Sequence, residues 1–323
     1  MRKRFFLLLL YISGLFFASG TDVQAQDAQF TQFYANPIYL NPAFAGSVRC
    51  ARFAFNSRLQ WSGISGNYRT YAASYDQHFD ALQGGVGFRV MRDEAGQGTI
   101  TSHNVAATYS YLIPINRKIS LRVGAEVGLF QRSLNTNKLT FGDQIDDRYG
   151  FVYATQEVFD NDEKLFVDFG AGAVLYNQIF YGGVSVHHIT QPNEGFLGSS
   201  KLPLKLTTHF GAMIPIGKRR KYAGEAFISP NILFQLQQSF YQLNVGVYAG
   251  KGPIVGGLWY RNNDSFIALV GLQRGLWRFG YSYDITISRL TNATAGSHEF
   301  SLGFQLPCRR PKRRFRTVVC PSF

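Results

Sequence analysis

The stretch WRFGYSYDITIS, Trp277 to Ser288, puts Trp277, Phe279, Tyr281, Tyr283, Ile285 and Ile287 on one parity and Arg278, Gly280, Ser282, Asp284, Thr286 and Ser288 on the other. Successive side chains of a β-strand point to opposite faces, so unbroken alternation over this stretch defines a strand with one apolar and one polar face. The apolar face can lie on a protein core or on lipid. The rest of the chain decides which.

The same alternation recurs at 48–61, 67–79, 84–93, 100–113, 118–132, 165–177, 178–190, 203–216, 221–234, 239–250, 253–262, 265–275 and 297–307, and the stretches between show no helical period. Several of these run longer than the usual five or six residues of globular proteins. In 118–129, Ile119, Leu121, Val123, Ala125, Val127 and Leu129 oppose Ser120, Arg122, Gly124 and Glu126. Connections alternate between tight (113–118, 176–178, 214–220, 250–253, 274–276) and longer, polar ones (62–66, 133–164, 191–201, 289–296). Outer-membrane barrels are built this way, with short periplasmic turns and long outer loops. A sandwich would bury the apolar face and wet the polar one; a barrel turns polar residues to its lumen and apolar ones to lipid. Strand length, alternating loops and aromatic residues near strand ends favour the barrel, and closure removes the unpaired edges that lipid does not tolerate. The expected fold is all-β: a transmembrane antiparallel β-barrel of about 14 strands spanning 48–307, in an outer membrane.

Composition agrees. Charged residues are 16% and aromatics 15% of 323, against about 25% charged in an average soluble domain, yet mean hydropathy is near zero. A chain poor in charge but not oily on average interleaves polar and apolar residues. The net charge of +13 is concentrated at the ends, with six positive charges in the tail Arg309, Arg310, Lys312, Arg313, Arg314 and Arg316. That distribution argues against nucleic acid as a partner. The start, MRKR then FFLLLLYISGLFF then a polar stretch ending Val-Gln-Ala, reads as a signal peptide over 1–25. It leaves a periplasmic N-terminal segment at 26–47 and a basic periplasmic tail at 308–323. Cys308 and Cys320 flank that tail, as a pair or as free thiols; with Cys50 they make no dense disulfide framework.

Candidate sites are few. The segment 26–47 carries two Asn-Pro pairs, Asn36-Pro37 and Asn41-Pro42, with the turn chemistry of Asn and the fixed φ of Pro. They read either as a lid or plug that docks a partner or seals the barrel, or as an ordered lead-in beneath the first strand. The basic tail could meet an acidic protein or anionic head groups, or stay a charged end. Arg52, Arg58, Arg122, Glu126, Lys205, His209, Asp284 and Glu299 share the lumen parity, where they either line a pore or fill it as a paired network. His187 and His188 are adjacent on a strand, so they point apart and suit a structural role better than a metal site. The acidic run Asp143, Asp146, Asp147, Glu157, Asp160, Asp162 and Glu163 lacks the spacing of an EF-hand and reads as a solvated loop. For catalysis the chain offers no G-x-S-x-G, no zinc spacing and no phosphate loop; Ser297 and His298 are neighbours without a third orienting group. No cofactor, metal or catalytic residue is expected.

The segment QDAQFTQFYANPIYLNPAFAGS, Gln26 to Ser47, resembles the N-terminal signature of the PorP/SprF family, outer-membrane proteins of the type IX secretion and gliding machinery of Bacteroidetes. The likeness continues in RLQW (58–61), LTFGDQIDDRYGF (139–151), VDFGAGAVLYNQIFYGGVSVHHITQPNEGF (167–196) and GSHEFSLGFQL (296–306). Two departures are Val167 before Asp168-Phe169, where members often have Pro, and the long basic tail. The resemblance implies a non-enzymatic component of type IX secretion that links periplasmic machinery to secretion or surface attachment of cargo or adhesin proteins. Its implied partners are periplasmic and outer-membrane components of that machinery, the cargo, and outer-membrane lipid. The alternative from the transport class is a porin-like channel for small solutes.

Overall fold

The computed structural model describes residues 27–146, 148–157, 162–196, 198–216, 226–288 and 294–307. The basic tail with Arg309, Arg310, Lys312, Arg313, Arg314 and Arg316, together with Cys308, Cys320 and residues 1–26, lies outside the described residues.

The strands are β1 (Arg52–Gln60), β2 (Tyr68–Phe79), β3 (Gly84–Ala95), β4 (Ile100–Pro114), β5 (Ser120–Leu134), β6 (Glu163–Tyr176) and β7 (Phe180–His187). They continue with β8 (Lys205–Ala212, extended by Ile214–Ile216), β9 (Ala226–Gln237), β10 (Phe240–Lys251), β11 (Ile254–Arg261), β12 (Ser265–Arg274), β13 (Trp277–Thr286) and β14 (Ser297–Gln305). Each pairs antiparallel with its sequence neighbour, and β1 pairs with β14, Arg52 opposite Gln305 and Gln60 opposite Ser297. The ring therefore closes as a 14-strand barrel, as expected from the strand lengths, connections and alternation together. No helix of the described residues is long and apolar enough to cross a membrane.

Parity fixes the inside and the outside. On β13 and just beyond it, Phe279, Ile285 and Ile287 are exposed, while Ser282 and Asp284 are buried. On β1, Phe53 and Phe55 face out and Arg52, Asn56 and Arg58 face in. A water-soluble fold has the opposite arrangement, so the apolar outer face is the lipid face. Leu258, halfway along β11 and 67% exposed, lies on that face. Leu258→Arg should lower the free energy of unfolding in lipid vesicles by about 2–4 kcal/mol, as for cations on the lipid face at the bilayer midplane. A change below about 0.5 kcal/mol, the usual effect at a water-facing site, would contradict it.

The two rims differ, though less regularly than the sequence suggested. The end where β1 starts carries tight turns at 80–83, 115–119, 177–179, 252–253 and 275–276; we call it the turn end. Its connection at 217–225 is longer and lies outside the described residues. The opposite loop end carries the long segment 135–162, where Ile145–Asp146 pairs with Gly150–Phe151. Three of its connections are nevertheless short, 96–99, Gln238-Ser239 and Asn262-Asn263-Asp264. Gln238 and Asn263 take left-handed φ of 53° and 57°, which lets two or three residues reverse the chain. The loop rim is therefore low at β9–β12.

Candidate functional site

Residues 27–51 do not sit beneath the barrel as a periplasmic lead-in. They run inside it. From Asp27, deep at the loop-end half, the segment descends to Ala51, where β1 begins. It turns through three short helical steps, Phe33–Ala35, Pro37–Leu40 and Pro42–Phe44. The two Asn-Pro pairs set the last two: Pro tolerates the first helical position, where no N–H is needed. Asn41 caps its step by accepting the Ala43 N–H at 2.9 Å. Its amide donates to the carbonyls of Ala173 (3.2 Å) and Val184 (3.1 Å), tying the step to β6 and β7. Asn36 and Pro37 are buried in the same segment, and the Asn36 side chain makes no hydrogen bond among the described residues. The physical reason for burial is the aromatic content: Phe30, Phe33, Tyr34 and Phe44 are all at most 6% exposed.

The wall is shaped to receive this plug. A Cβ on Gly124 would lie 2.5 Å from the Ala43 nitrogen, and one on Gly172 would lie 2.1 Å from Asn41 Oδ1. Opposite the aromatics the lumen is apolar: Val255 and Trp259 on β11, Ile267 and Leu269 on β12, Tyr248 on β10 and Tyr181 on β7 point inward. The Phe33 and Trp259 rings meet edge-on with centroids 5.2 Å apart, as do Tyr34 and Tyr181 at 5.7 Å. The lumen, expected to take the polar residues, is therefore apolar on this side, because the plug's rings need an apolar partner surface.

Charge holds the rest. The N–H groups of Thr31 and Gln32 donate to the Glu299 carboxylate at 2.6 and 3.0 Å. The Thr31 hydroxyl donates to Asp284 at 2.8 Å and accepts from Arg58. Arg58 pairs with Asp284 at 2.8 Å and with Glu299 at 3.3 Å, and Arg261 reaches Asp284 at 3.1 Å. Arg52 pairs with Asp76 (2.8 Å), which accepts the Gly46 N–H; Arg122 donates to the Ala45 carbonyl at 2.8 Å. Near the upper end Asp27 meets Lys205 at 3.2 Å. Arg52, Arg58, Arg122, Glu126, Lys205, His209, Asp284 and Glu299 are all buried. Most of their partners are plug atoms or each other, so they fill the lumen and do not line an open pore.

Above the plug the loop-end half of the lumen remains hollow, a vestibule of about 880 Å³. Asp27, Tyr39, Arg89 and Lys205 line its depths, and Phe240, Asn262 and Asp264 mark the low side of its rim.

The remaining candidates disperse. His187 and His188 both line the vestibule, against the expectation that they point apart. His188 has φ of 59°, which ends the strand and breaks its alternation. Its ring bridges Asp168 (2.7 Å) and Asp27 (2.8 Å), so it joins plug to wall. Ser297 faces the lumen, whereas His298 lies outward between Tyr281 and Tyr283, its Nδ1 2.9 Å from the Tyr281 hydroxyl. The two are not brought together. In the acidic loop, Asp146 accepts from the Arg148 N–H, the Tyr153 hydroxyl and the Tyr149 N–H, which hold its carboxyl below the usual range. Asp143 accepts from Thr155 and Gln156. These carboxylates order their own loop. Cys50 is disulfide-bonded; the expected alternatives for Cys308 and Cys320 lie outside the described residues.

Comparison with known proteins bears on these features. The family described as type IX secretion system membrane protein PorP/SprF matches residues 22–304. No curated protein matches the chain. Among solved structures, the toluene transporter TbuX of Ralstonia pickettii is 10% identical, covering 83% of this chain and 92% of its own, with a TM-score of 0.50. The outer membrane protein Omp33 of Acinetobacter baumannii is 9% identical over 81% of this chain and 100% of its own, with a TM-score of 0.44. At this identity the likeness to TbuX speaks for the barrel fold alone.

Proposed function

We propose, from the premise that this chain belongs to the PorP/SprF family of type IX secretion membrane proteins, that it acts in the outer membrane as a plugged scaffold. On this reading it links periplasmic machinery to the secretion or surface attachment of cargo or adhesin proteins, and it works by binding. The turn end faces the periplasm, and the loop end with its vestibule faces outward. The periplasmic partners would meet the turn-end surface and the tail residues 309–316, while Asn36, Pro37, Asn41 and Pro42 are buried inside the lumen.

The observation that carries the proposal is the filled lumen. A solute channel needs a continuous aqueous path, and here the segment 27–51 runs through the lumen from the loop-end half to the turn end, hydrogen-bonded to β1, β6, β7, β13 and β14. Purified protein in planar bilayers should therefore show no steady conductance. A stable open level in the intact chain would sink the scaffold reading in favour of the small-solute channel.

A further inference from the structure

The turn end carries a second surface, outside the lumen. Arg117 and Lys118 sit on the β4–β5 turn, Lys251 at the end of β10 and Arg274 at the end of β12. All four are exposed, and none has an ion-pair partner among the described residues. The one carboxylate on the described turn-end connections, Asp80, is already paired with Arg49. The loop end instead mixes signs, with Asp143, Asp162 and Glu163 among Lys138, Arg148 and Lys164.

We propose that these four cations form a collar that binds the phosphodiester head groups of anionic glycerophospholipids in the leaflet at the turn end. Height is the first argument. Each cation lies within a few residues of an outward apolar side chain, Ile115 beside Arg117, Ile254 beside Lys251, and Leu272 and Trp277 beside Arg274, all at least 47% exposed. A strand residue advances about 3.3 Å, and the head-group region adds roughly 5–7 Å to each side of the hydrocarbon. The turns are too short to carry their charges beyond that layer. Distribution is the second argument. The cations are spread over three separate connections, which an annulus of lipid can meet together, while one acidic protein would favour a single sector. Each basic group near an anionic surface strengthens binding roughly five-fold. The inference depends on the membrane fold and not on the proposed role in secretion.

Trp277 neighbours Arg274 on the lipid face and supplies a local reporter. The full chain is placed in vesicles of phosphatidylethanolamine and phosphatidylglycerol, with brominated acyl chains on one lipid or the other. In a Trp61→Phe, Trp259→Phe background, brominated phosphatidylglycerol should quench Trp277 several-fold more efficiently than its bulk fraction predicts. The excess should vanish in the combined Arg117→Gln, Lys118→Gln, Lys251→Gln, Arg274→Gln variant and at high salt. Removing four loop-end cations instead (Lys138→Gln, Arg148→Gln, Lys164→Gln, Lys201→Gln) should leave it intact. Equal quenching by both lipids in the starting protein, or loss of the excess in the loop-end variant, overturns the proposal. So does an excess that persists in the turn-end variant. If the combined variant does not assemble, as judged by heat-modifiable gel mobility, Arg274→Gln alone must still reduce the excess or the proposal fails.

Discussion

Replacing Gly124 by leucine opens the barrel. A Cβ at this position meets backbone, not a side chain that could rotate away: the Ala43 nitrogen and the Pro42 carbonyl carbon at 2.5 Å, and the Ala43 Cα at 2.7 Å. Optimal carbon contacts are about 3.5–4.0 Å, so a whole isobutyl group cannot share the lumen with Pro42–Phe44. The wall itself has room, because Gly124 pairs across β5–β6 with Gly172. The plug must therefore leave while the ladder stays. In planar bilayers, G124L should change the protein from silent to steadily conducting, with the barrel still heat-modifiable on gels. Gly66→Leu, where a Cβ would meet nothing within 4 Å, should leave it silent. A silent, folded G124L would show that the segment repacks inside or that something other than the plug closes the lumen.

Arg58→Met removes the cation at the centre of the network without removing bulk. Arg58 sits between Asp284 at 2.8 Å and Glu299 at 3.3 Å; the side chains of the three are at most 3% exposed. Taking one partner from a buried ion pair leaves a charge with neither water nor counterion, a loss of about 3–5 kcal/mol. Arg261 still reaches Asp284, so the heavier burden falls on Glu299, whose carboxylate also receives the Thr31 and Gln32 N–H groups. Urea unfolding in lipid vesicles should show the loss, and R58M/E299Q should recover part of it by removing the stranded charge. Arg92→Met, from an exposed pair with Glu94, should change stability by about 0–1 kcal/mol. Comparable losses for Arg58 and Arg92 would mean that the lumen is as wet as the rim.

The barrel was legible because strand parity is a local property: Trp277 to Ser288 states which residues face together, and strand length and connections supply the membrane. The polar parity also identified the inward charges. What they bind was not legible, since Glu299 and Thr31 meet only after the sheet has closed. A signal for the plug existed in β11 and β12, where Val255, Trp259, Ile267 and Leu269 make the second parity apolar as well. Strands apolar on both parities need an apolar partner inside, and the aromatic segment 30–44 is the part of the chain free to supply it. The structural role of His188 was legible but its facing was not, because one left-handed residue breaks alternation and nothing in the His-His pair announces that φ. The low rim at β9–β12 was missed for the same reason, because its turns rest on left-handed Gln238 and Asn263.

The scaffold reading depends on residues 27–51 lying within the closed ring. A Cβ on Gly87 would sit 3.4 Å from the Ala45 Cβ, close to the 3.5–4.5 Å of a disulfide. With Cys50, Cys308 and Cys320 replaced by serine, an Ala45→Cys, Gly87→Cys pair in native outer membranes should cross-link without added catalyst and resist soluble maleimide. Free thiols at both positions, with the one at 45 readily labelled from solution, would place the segment outside the lumen and contradict the account.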